Sequence, residues 1–153
     1  MPDLDVFIPL GDDVANFTQH RSATHSLIIH SLVAPAIAWA LGCHWPASRP
    51  YRLRRWLLAY LCLGTHALLD GLTVYGTQLF WPLPLTPTTW SALFIIDPAY
   101  TILLLVGITG ALWVAPSRRR RWNHAGVALS SGYILLSVAA KLHVDGIAKA
   151  SLE

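Results

Sequence analysis

The sequence RRWLLAYLCLGTHALLDGLTVYG, residues 54–76, is a long apolar run interrupted by one histidine and one aspartate. From Trp56 to Ile96, Asp70 is the only charged residue. A run of this length and apolarity predicts a helix that crosses a membrane. His66 and Asp70 are four residues apart, so a helix places them on one face with Cβ atoms about 5–6 Å apart. Because a carboxylate inside a membrane costs about 2.5–3.5 kcal/mol, we expect the pair to have a partner, and a metal ion suits both side chains.

The composition of the whole chain supports a membrane protein. Hydrophobic residues make up 54% of the 153 residues and charged residues 12%, with a mean hydropathy of +0.48. Soluble domains carry about 25% charged residues. The two cysteines lie in apolar surroundings and predict no disulfide framework. We therefore expect one membrane domain over residues 1–153.

Apolar segments of membrane-spanning length recur along the chain. At 18 to 20 residues, each would form about 27–30 Å of helix, enough to cross a hydrocarbon core. The sequence predicts an all-α, polytopic membrane helix bundle with about four transmembrane helices. Ser22 or Thr24 is expected to cap the first helix and Asp97 the third. The four segments run from Thr24 to Leu41, from Trp56 to Tyr75, from Pro98 to Ala115 and from Asn123 to Leu142.

Eight of the nine arginines fall between the first and second segments or between the third and fourth. With four spans, both linkers emerge on one side, which the positive-inside rule makes cytoplasmic. Every acidic residue falls in or toward the opposite half. We interpret the arginines as topology signals and contacts to anionic membrane lipids, and we predict no nucleic-acid partner. The clusters are Arg49, Arg52, Arg54 and Arg55, and Arg118 to Arg121.

Two blocks near the N-terminus add candidate ligands on this outer side. Asp3 and Asp5 offer hard carboxylate oxygens, although a solvated acidic segment has the same composition. In HRSATHS, residues 20–26, His25 would lie in the first turn of the first helix. Neutral imidazole is a common metal ligand, and Arg21 suits an anionic substrate group such as a phosphate. The alternative is an interfacial segment whose polar side chains reach the lipid headgroups.

The pair formed by His66 and Asp70 also has two interpretations. Both side chains could bind one metal, or Asp70 could orient His66 as a ligand. Alternatively, a hydrogen bond between them could simply brace the bundle.

Five short blocks together resemble the YdjM-like family of bacterial inner-membrane proteins, commonly labelled membrane-bound metal-dependent hydrolases. That family is distantly similar to zinc-dependent phospholipase C, in which His and Asp side chains on helices hold zinc. The resemblance implies ligand roles for Asp3 or Asp5, for His25, and for His66 with Asp70. Members carry an additional helix before the first block. Here Met1 directly precedes that block, so either the start is assigned late or the chain is a short form without this helix and its histidine. The blocks are PDLD (2–5), HRSATHS (20–26), HALLDG (66–71), YGTQLFWP (75–82) and IIDP (95–98).

The resemblance and the residues together predict a metal-dependent hydrolase of an ester or phosphoester, with a lipid or envelope molecule as substrate. The metal would be zinc, with manganese as an alternative. His20 and Arg21 are the candidate catalytic residues, in contact with the metal or with its ligands, and Arg21 would stabilise negative charge in the transition state. The alternative is a non-enzymatic membrane protein that binds metal for structure, sensing or transport.

Overall fold

The computed structural model describes residues 3, 7, 11, 12, 16 and 19–152. Throughout these residues the regular structure is helical, and the only β-type pairing is an isolated bridge between Thr77 and Thr88. The all-α prediction is confirmed. The α-helices of the described part of the chain are α1 (Leu27–His44), α2 (Arg52–Gly71), α3 (Pro98–Trp113) and α4 (Pro116–Ala150).

The chain divides into two compact units, Met1–Trp90 and Ser91–Glu153. The first contains α1 and α2, and the second contains α3 and α4. The expected single domain over residues 1–153 stays a prediction.

The helices of the first unit are antiparallel. Leu27, at the start of α1, lies beside Gly64 near the end of α2, and Gly42 near the end of α1 lies against Arg55 near the start of α2. Small residues on the facing surfaces allow the two backbones to approach closely. The small residues buried in this pair include Ala34, Ala38, Ala59 and Ala67.

The helices of the second unit are also antiparallel and cross at two glycines. A Cβ atom added to Gly107 of α3 would lie 2.5 Å from the Cα of Gly126 in α4. Because real Cβ atoms do not come so close to backbone, only glycine fits both positions. Near the other end of the pair, the hydroxyl of Tyr133 donates to Oδ2 of Asp97 at 3.0 Å.

Two of the four helices, α1 and α4, are long and apolar enough to cross a membrane by length and composition. Helix α3 is apolar but has only 16 residues. Helix α2 begins with three arginines in four residues, which lowers its hydropathy. Many large apolar side chains on these helices are exposed, as expected for surfaces that face lipid.

Several helix boundaries differ from the predictions. Helix α2 covers Arg52–Gly71 and not the expected segment from Trp56 to Tyr75, because its arginines are good helix formers and the chain turns after Gly71. The run Arg118–Arg121 lies inside α4 and not in a linker, because Pro116 begins the helix and arginine is a good helix former. Helix α1 begins at Leu27 and is capped by Ser26, whose Oγ accepts from the backbone N–H of Ile29 at 3.4 Å. Neither Ser22 nor Thr24 caps it, because a 3-10 helix over Ala23–His25 precedes α1.

The predicted cap of the third helix is confirmed. Oδ1 of Asp97 accepts from the backbone N–H of Tyr100 at 3.0 Å, and Pro98 occupies the first helical position.

Candidate metal centre

Four side chains of the first unit converge at the end of the α1–α2 pair that is remote from Arg49, Arg52, Arg54 and Arg55. They are Asp3, His25, His66 and Asp70, and one donor atom from each lies within 4.8 Å of all the others. His25 stands in the 3-10 helix before α1, whereas His66 and Asp70 occupy the last two turns of α2. The four-residue spacing in α2 turns both of its side chains toward His25. We call these four residues the metal-centre cluster.

The two carboxylates of the cluster each bridge the two imidazoles. Oδ2 of Asp70 lies 3.0 Å from Nε2 of His25 and 3.2 Å from Nε2 of His66. The oxygens of Asp3 lie 3.4 Å from the first of these nitrogens and 3.2 Å from the second. In a tetrahedral zinc site with bonds of about 2.0–2.1 Å, neighbouring ligand atoms are about 3.3 Å apart. The spacing of the donors therefore fits one ion of this size.

The hydrogen-bonding state of the cluster also supports a metal site. Nε2 of His25, Nε2 of His66 and Oδ2 of Asp70 are all buried, and although the two nitrogens lie 3.0 and 3.2 Å from this oxygen, none of the three atoms makes a hydrogen bond of good geometry among the described residues. An unsatisfied buried polar atom costs about 1–3 kcal/mol, so three in one place call for an explanation. Two imidazoles and two carboxylates are the donor set that suits zinc, and the cluster fits the ion that the resemblance implies.

Thr24 fixes the orientation of the His25 ring. Its Oγ1 lies 3.0 Å from Nδ1 of His25, which is completely buried. When Nδ1 donates its proton to this hydroxyl, Nε2 presents its lone pair to the centre of the cluster, the usual arrangement behind a ligating histidine. The carbonyl of Thr24 also lies 2.8 Å from Nε2 of His30, so one residue is held on two sides.

Arg21 lies directly behind the cluster and is buried, with 7% of its surface exposed. Its Nη2 is 3.6 Å from Oδ1 of Asp70, the oxygen that faces away from His25 and His66. Nη1 donates to Oγ1 of Thr73 at 3.3 Å, and the guanidinium lies 4.9 Å from the centre of the Tyr75 ring. The cation is thus held beside the candidate metal centre by a carboxylate, a hydroxyl and an aromatic face.

Residues 77–81, which we call the 77–81 segment, form hydrogen bonds with the start of α1 and with the residues just before it. The backbone N–H of Gln78 donates to the carbonyl of Arg21 at 3.0 Å, and that of Leu27 donates to the carbonyl of Leu79 at 2.9 Å. The hydroxyl of Ser26 donates to the carbonyl of Trp81 at 2.6 Å. These bonds hold Arg21 with a φ of 61°, in the left-handed region that non-glycine residues seldom adopt.

The structure brings together four of the five residues predicted as metal ligands, and Asp5 lies outside the described residues. Arg21 lies next to the cluster, as its predicted role requires. His20 stands further away, with its ring centre 5.4 Å from that of Tyr75 and 6.3 Å from that of His25. Whether these residues bind metal or act in catalysis stays a prediction.

Sequence reasoning missed two supporting residues, Thr24 and Thr73. The hydroxyl of Thr73 accepts from Arg21 and donates to the carbonyl of Asp70 at 2.7 Å. One indication of this role was present in the sequence, which is that Thr73 lies only three residues after Asp70. Thr24 directly precedes His25, but only the 3-10 conformation of residues 23–25 brings its hydroxyl to the imidazole.

Comparisons with known proteins place the chain among inner-membrane proteins. The inner membrane protein YbcI of Escherichia coli (strain K12) is 34% identical over 85 residues, which cover 55% of this chain and 47% of that protein. The chain thus matches about half the length of this curated relative. No solved structure matches the chain. The model of the YdjM inner membrane protein family matches residues 1–144, and the chain therefore belongs to that family.

Proposed function

We propose that the chain is a membrane-bound, metal-dependent hydrolase that cleaves an ester or phosphoester in a lipid or envelope molecule. The observation that carries the proposal is the convergence of Nε2 of His25 and Nε2 of His66 on Oδ2 of Asp70, at 3.0 and 3.2 Å, with none of the three buried atoms in a hydrogen bond of good geometry. Such an arrangement is what a metal site requires, and a buried guanidinium beside it suits an anionic substrate.

His25, His66 and Asp70 would hold the metal, with Asp3 as a fourth ligand or as a neighbour. Zinc is the ion that best suits these donors, and manganese is the alternative. When bound, the metal would supply Lewis acidity, polarising the scissile group and lowering the pKa of water toward about 7.

The chain's own residues would bind the substrate and manage charge. Arg21 would pair with a phosphoryl oxygen and stabilise the charge that develops there during cleavage. The side chain of Asp3 is 56% exposed, so this carboxylate stands at the open side of the cluster. There it could accept the proton of the attacking water. His20, against Tyr75, would help to shape the substrate-binding edge.

Membership of an inner-membrane family and two apolar helices of spanning length support an inner-membrane location. For the topology, we propose a multi-pass arrangement in which the two arginine clusters, at residues 49–55 and 118–121, are cytoplasmic. The metal-centre cluster would then lie toward the outer face, because Asp70 is fifteen residues beyond Arg55 in α2, or about 22 Å along the helix. An outward site suits a substrate in the outer leaflet or the envelope.

One observation favours a second candidate, a non-enzymatic protein that binds metal for structure, sensing or transport. Structural zinc sites have four protein ligands, whereas catalytic sites keep one position open. With Asp3 included, the cluster offers four donor atoms within 4.8 Å of one another, and its four distances between imidazole nitrogen and carboxylate oxygen are 3.0–3.4 Å. Asp3 is therefore the residue that distinguishes a closed site from an open one.

The metal is tested first. The detergent-purified protein is analysed for bound metals, together with His66→Ala, Asp70→Ala and the control His143→Ala. His143 is exposed in α4 and lies in the other unit. We expect about one equivalent of zinc or manganese in the parent and the control, and less than a tenth of that in the other two variants. Equal metal content in all four proteins would contradict the proposal.

The variant Asp3→Ala then distinguishes the hydrolase hypothesis from the hypothesis of a non-enzymatic metal-binding protein. The metal-loaded parent is incubated with an aryl phosphodiester and with phospholipids, and product is measured. If the parent cleaves a substrate and Asp3→Ala keeps its metal, the open catalytic site is supported. If Asp3→Ala loses its metal and the parent cleaves nothing, the closed site is the correct interpretation.

A further inference from the structure

We infer that a second site, a cavity between α1 and α2 at their arginine end, binds the phosphate headgroup of an anionic phospholipid. The cavity has a volume of about 670 Å³. Its polar wall contains Arg49, Arg52 and Arg55, and its other walls are mainly apolar. Arg55 is about 22 Å along α2 from Asp70, so this site is separate from the metal-centre cluster.

Arg55 is the residue that best supports an anion-binding site in this cavity. Its Nε and Nη1 are buried and have no hydrogen-bond partner among the described residues. The guanidinium lies against Gly42 of α1, where the lack of a side chain leaves room for it. A guanidinium with unsatisfied N–H groups is a donor for charge-assisted hydrogen bonds to phosphate oxygens.

The neighbouring chain supplies no carboxylate to neutralise this charge. The sequence contains no Asp or Glu between Asp13 and Asp70. Asp70 and Asp3 both belong to the metal-centre cluster at the other end of the pair. A second arginine of the cavity, Arg49, is also directed toward Gly42. Its Nε donates to the carbonyl of Gly42 at 3.2 Å.

The apolar walls favour a lipid over free phosphate. Trp39, Leu53 and Trp56 line the cavity beside the arginines, and the first two are largely exposed. A phospholipid places a phosphate next to glycerol and acyl chains, and tryptophan is enriched at this depth of a bilayer. Basic pockets between helices on the cytoplasmic side of a membrane bind such headgroups.

The test compares two arginines of one cluster. The full chain in detergent is titrated with phosphatidylglycerol or phosphatidylcholine, and bound lipids are counted by native mass spectrometry. Arg55→Gln is compared with Arg54→Gln, because Arg54 lies over the Tyr51 ring at 5.3 Å and does not line the cavity. Both variants remove one charge. We expect Arg55→Gln to weaken phosphatidylglycerol binding about fivefold and Arg54→Gln to change it less than twofold.

Equal losses in the two variants would overturn the proposal, because they would indicate general attraction to a basic surface. Equal affinity of the parent for the two lipids would also overturn it. A third arm adds inorganic phosphate: displacement of the lipid at micromolar phosphate would show that the cavity takes the free ion.

A second pair of variants covers the case in which Arg55→Gln does not fold. The double variant R49Q/R52Q removes two exposed cavity arginines, and R118Q/R121Q removes two exposed arginines of α4. We expect only the first double variant to weaken phosphatidylglycerol binding at least fivefold. Equal effects of the two would again contradict a specific site.

Discussion

Nη2 of Arg21 lies 3.6 Å from Oδ1 of Asp70, while Oδ2 of the same carboxylate faces His25 and His66. A single carboxylate therefore joins a buried cation to the metal-centre cluster. The guanidinium is held at a fixed distance from the place where a metal would bind. The left-handed backbone of Arg21 is part of this arrangement, because it directs the side chain back toward α2.

Replacement of Arg21 by asparagine should separate substrate binding from metal binding. Asparagine tolerates the left-handed backbone, so Arg21→Asn removes the cation without forcing the chain to shift. We expect the metal content to stay within twofold of the parent and the kcat/KM for a phosphodiester to fall about 10²–10³-fold. Both are measured on the purified protein, with Arg54→Gln as a charge-matched control. Loss of metal in Arg21→Asn would instead assign Arg21 to the positioning of Asp70.

Thr24→Val should weaken metal binding without removing a ligand. The variant keeps the backbone carbonyl that meets His30 but loses the hydroxyl that orients His25. Partners of ligating histidines contribute about 10–100-fold to metal affinity, and we expect a loss in that range. Competition with a chromophoric chelator measures it. The control is Thr65→Val, since the Thr65 hydroxyl bonds to the carbonyls of Leu61 and Cys62 in its own helix. Equal affinities of the two variants would contradict the role of Thr24.

The helices were largely predictable because each follows from a continuous apolar run between strong boundary signals. Asp97 and Pro98 mark the start of α3 by their chemistry alone. The start of α1 was harder, because Ser22, Thr24 and Ser26 are all competent caps. The choice among them depends on hydrogen bonds from Leu27 and Ser26 to residues more than fifty positions later. Local sequence does not contain that information.

In the candidate site, too, some features follow from local sequence and others depend on long-range contacts. The spacing of His66 and Asp70 was enough to place them on one helix face, and charge distribution put His25 on the same side. The left-handed backbone of Arg21 and the hydrogen bond from Arg21 to Thr73 could not be derived this way. Both depend on how the segment before α1 packs against the end of α2, which is a tertiary property.

The crossing of α3 and α4 gives a prediction of stability. In Gly107→Ala the new methyl would lie 2.5 Å from the Cα of Gly126, so the two backbones must separate. We expect a loss of about 1–3 kcal/mol, seen as a lower thermal midpoint in detergent. Gly132→Ala is the matched control, because a Cβ atom there meets nothing within 4 Å. It should be neutral or slightly stabilising, since alanine is the better helix former. Equal midpoints of the two variants would show that the glycine contact is not tight.

Asp97 should stabilise the second unit in two ways. It caps α3 through the N–H of Tyr100 and accepts from the hydroxyl of Tyr133. We expect Tyr133→Phe to cost about 1 kcal/mol and Asp97→Ala about 2 kcal/mol, because the second variant loses both bonds. In the double variant the effects should not add, since the Tyr133 bond is already absent after Asp97→Ala. Chemical unfolding of the four proteins measures this coupling, and strict additivity would exclude the bond.

The hydrogen bonds between the start of α1 and the 77–81 segment also set an order of assembly during synthesis. His25 leaves the ribosome long before His66, and Arg21 cannot take its final backbone until Gln78 is available to donate to its carbonyl. A nascent chain that ends within α2 therefore has some of the cluster residues but not the cluster. The four side chains meet only after α2 has folded back on α1 and residues 77–81 have closed over the start of α1. Binding of the proposed metal should consequently be a late event, after the first unit has folded.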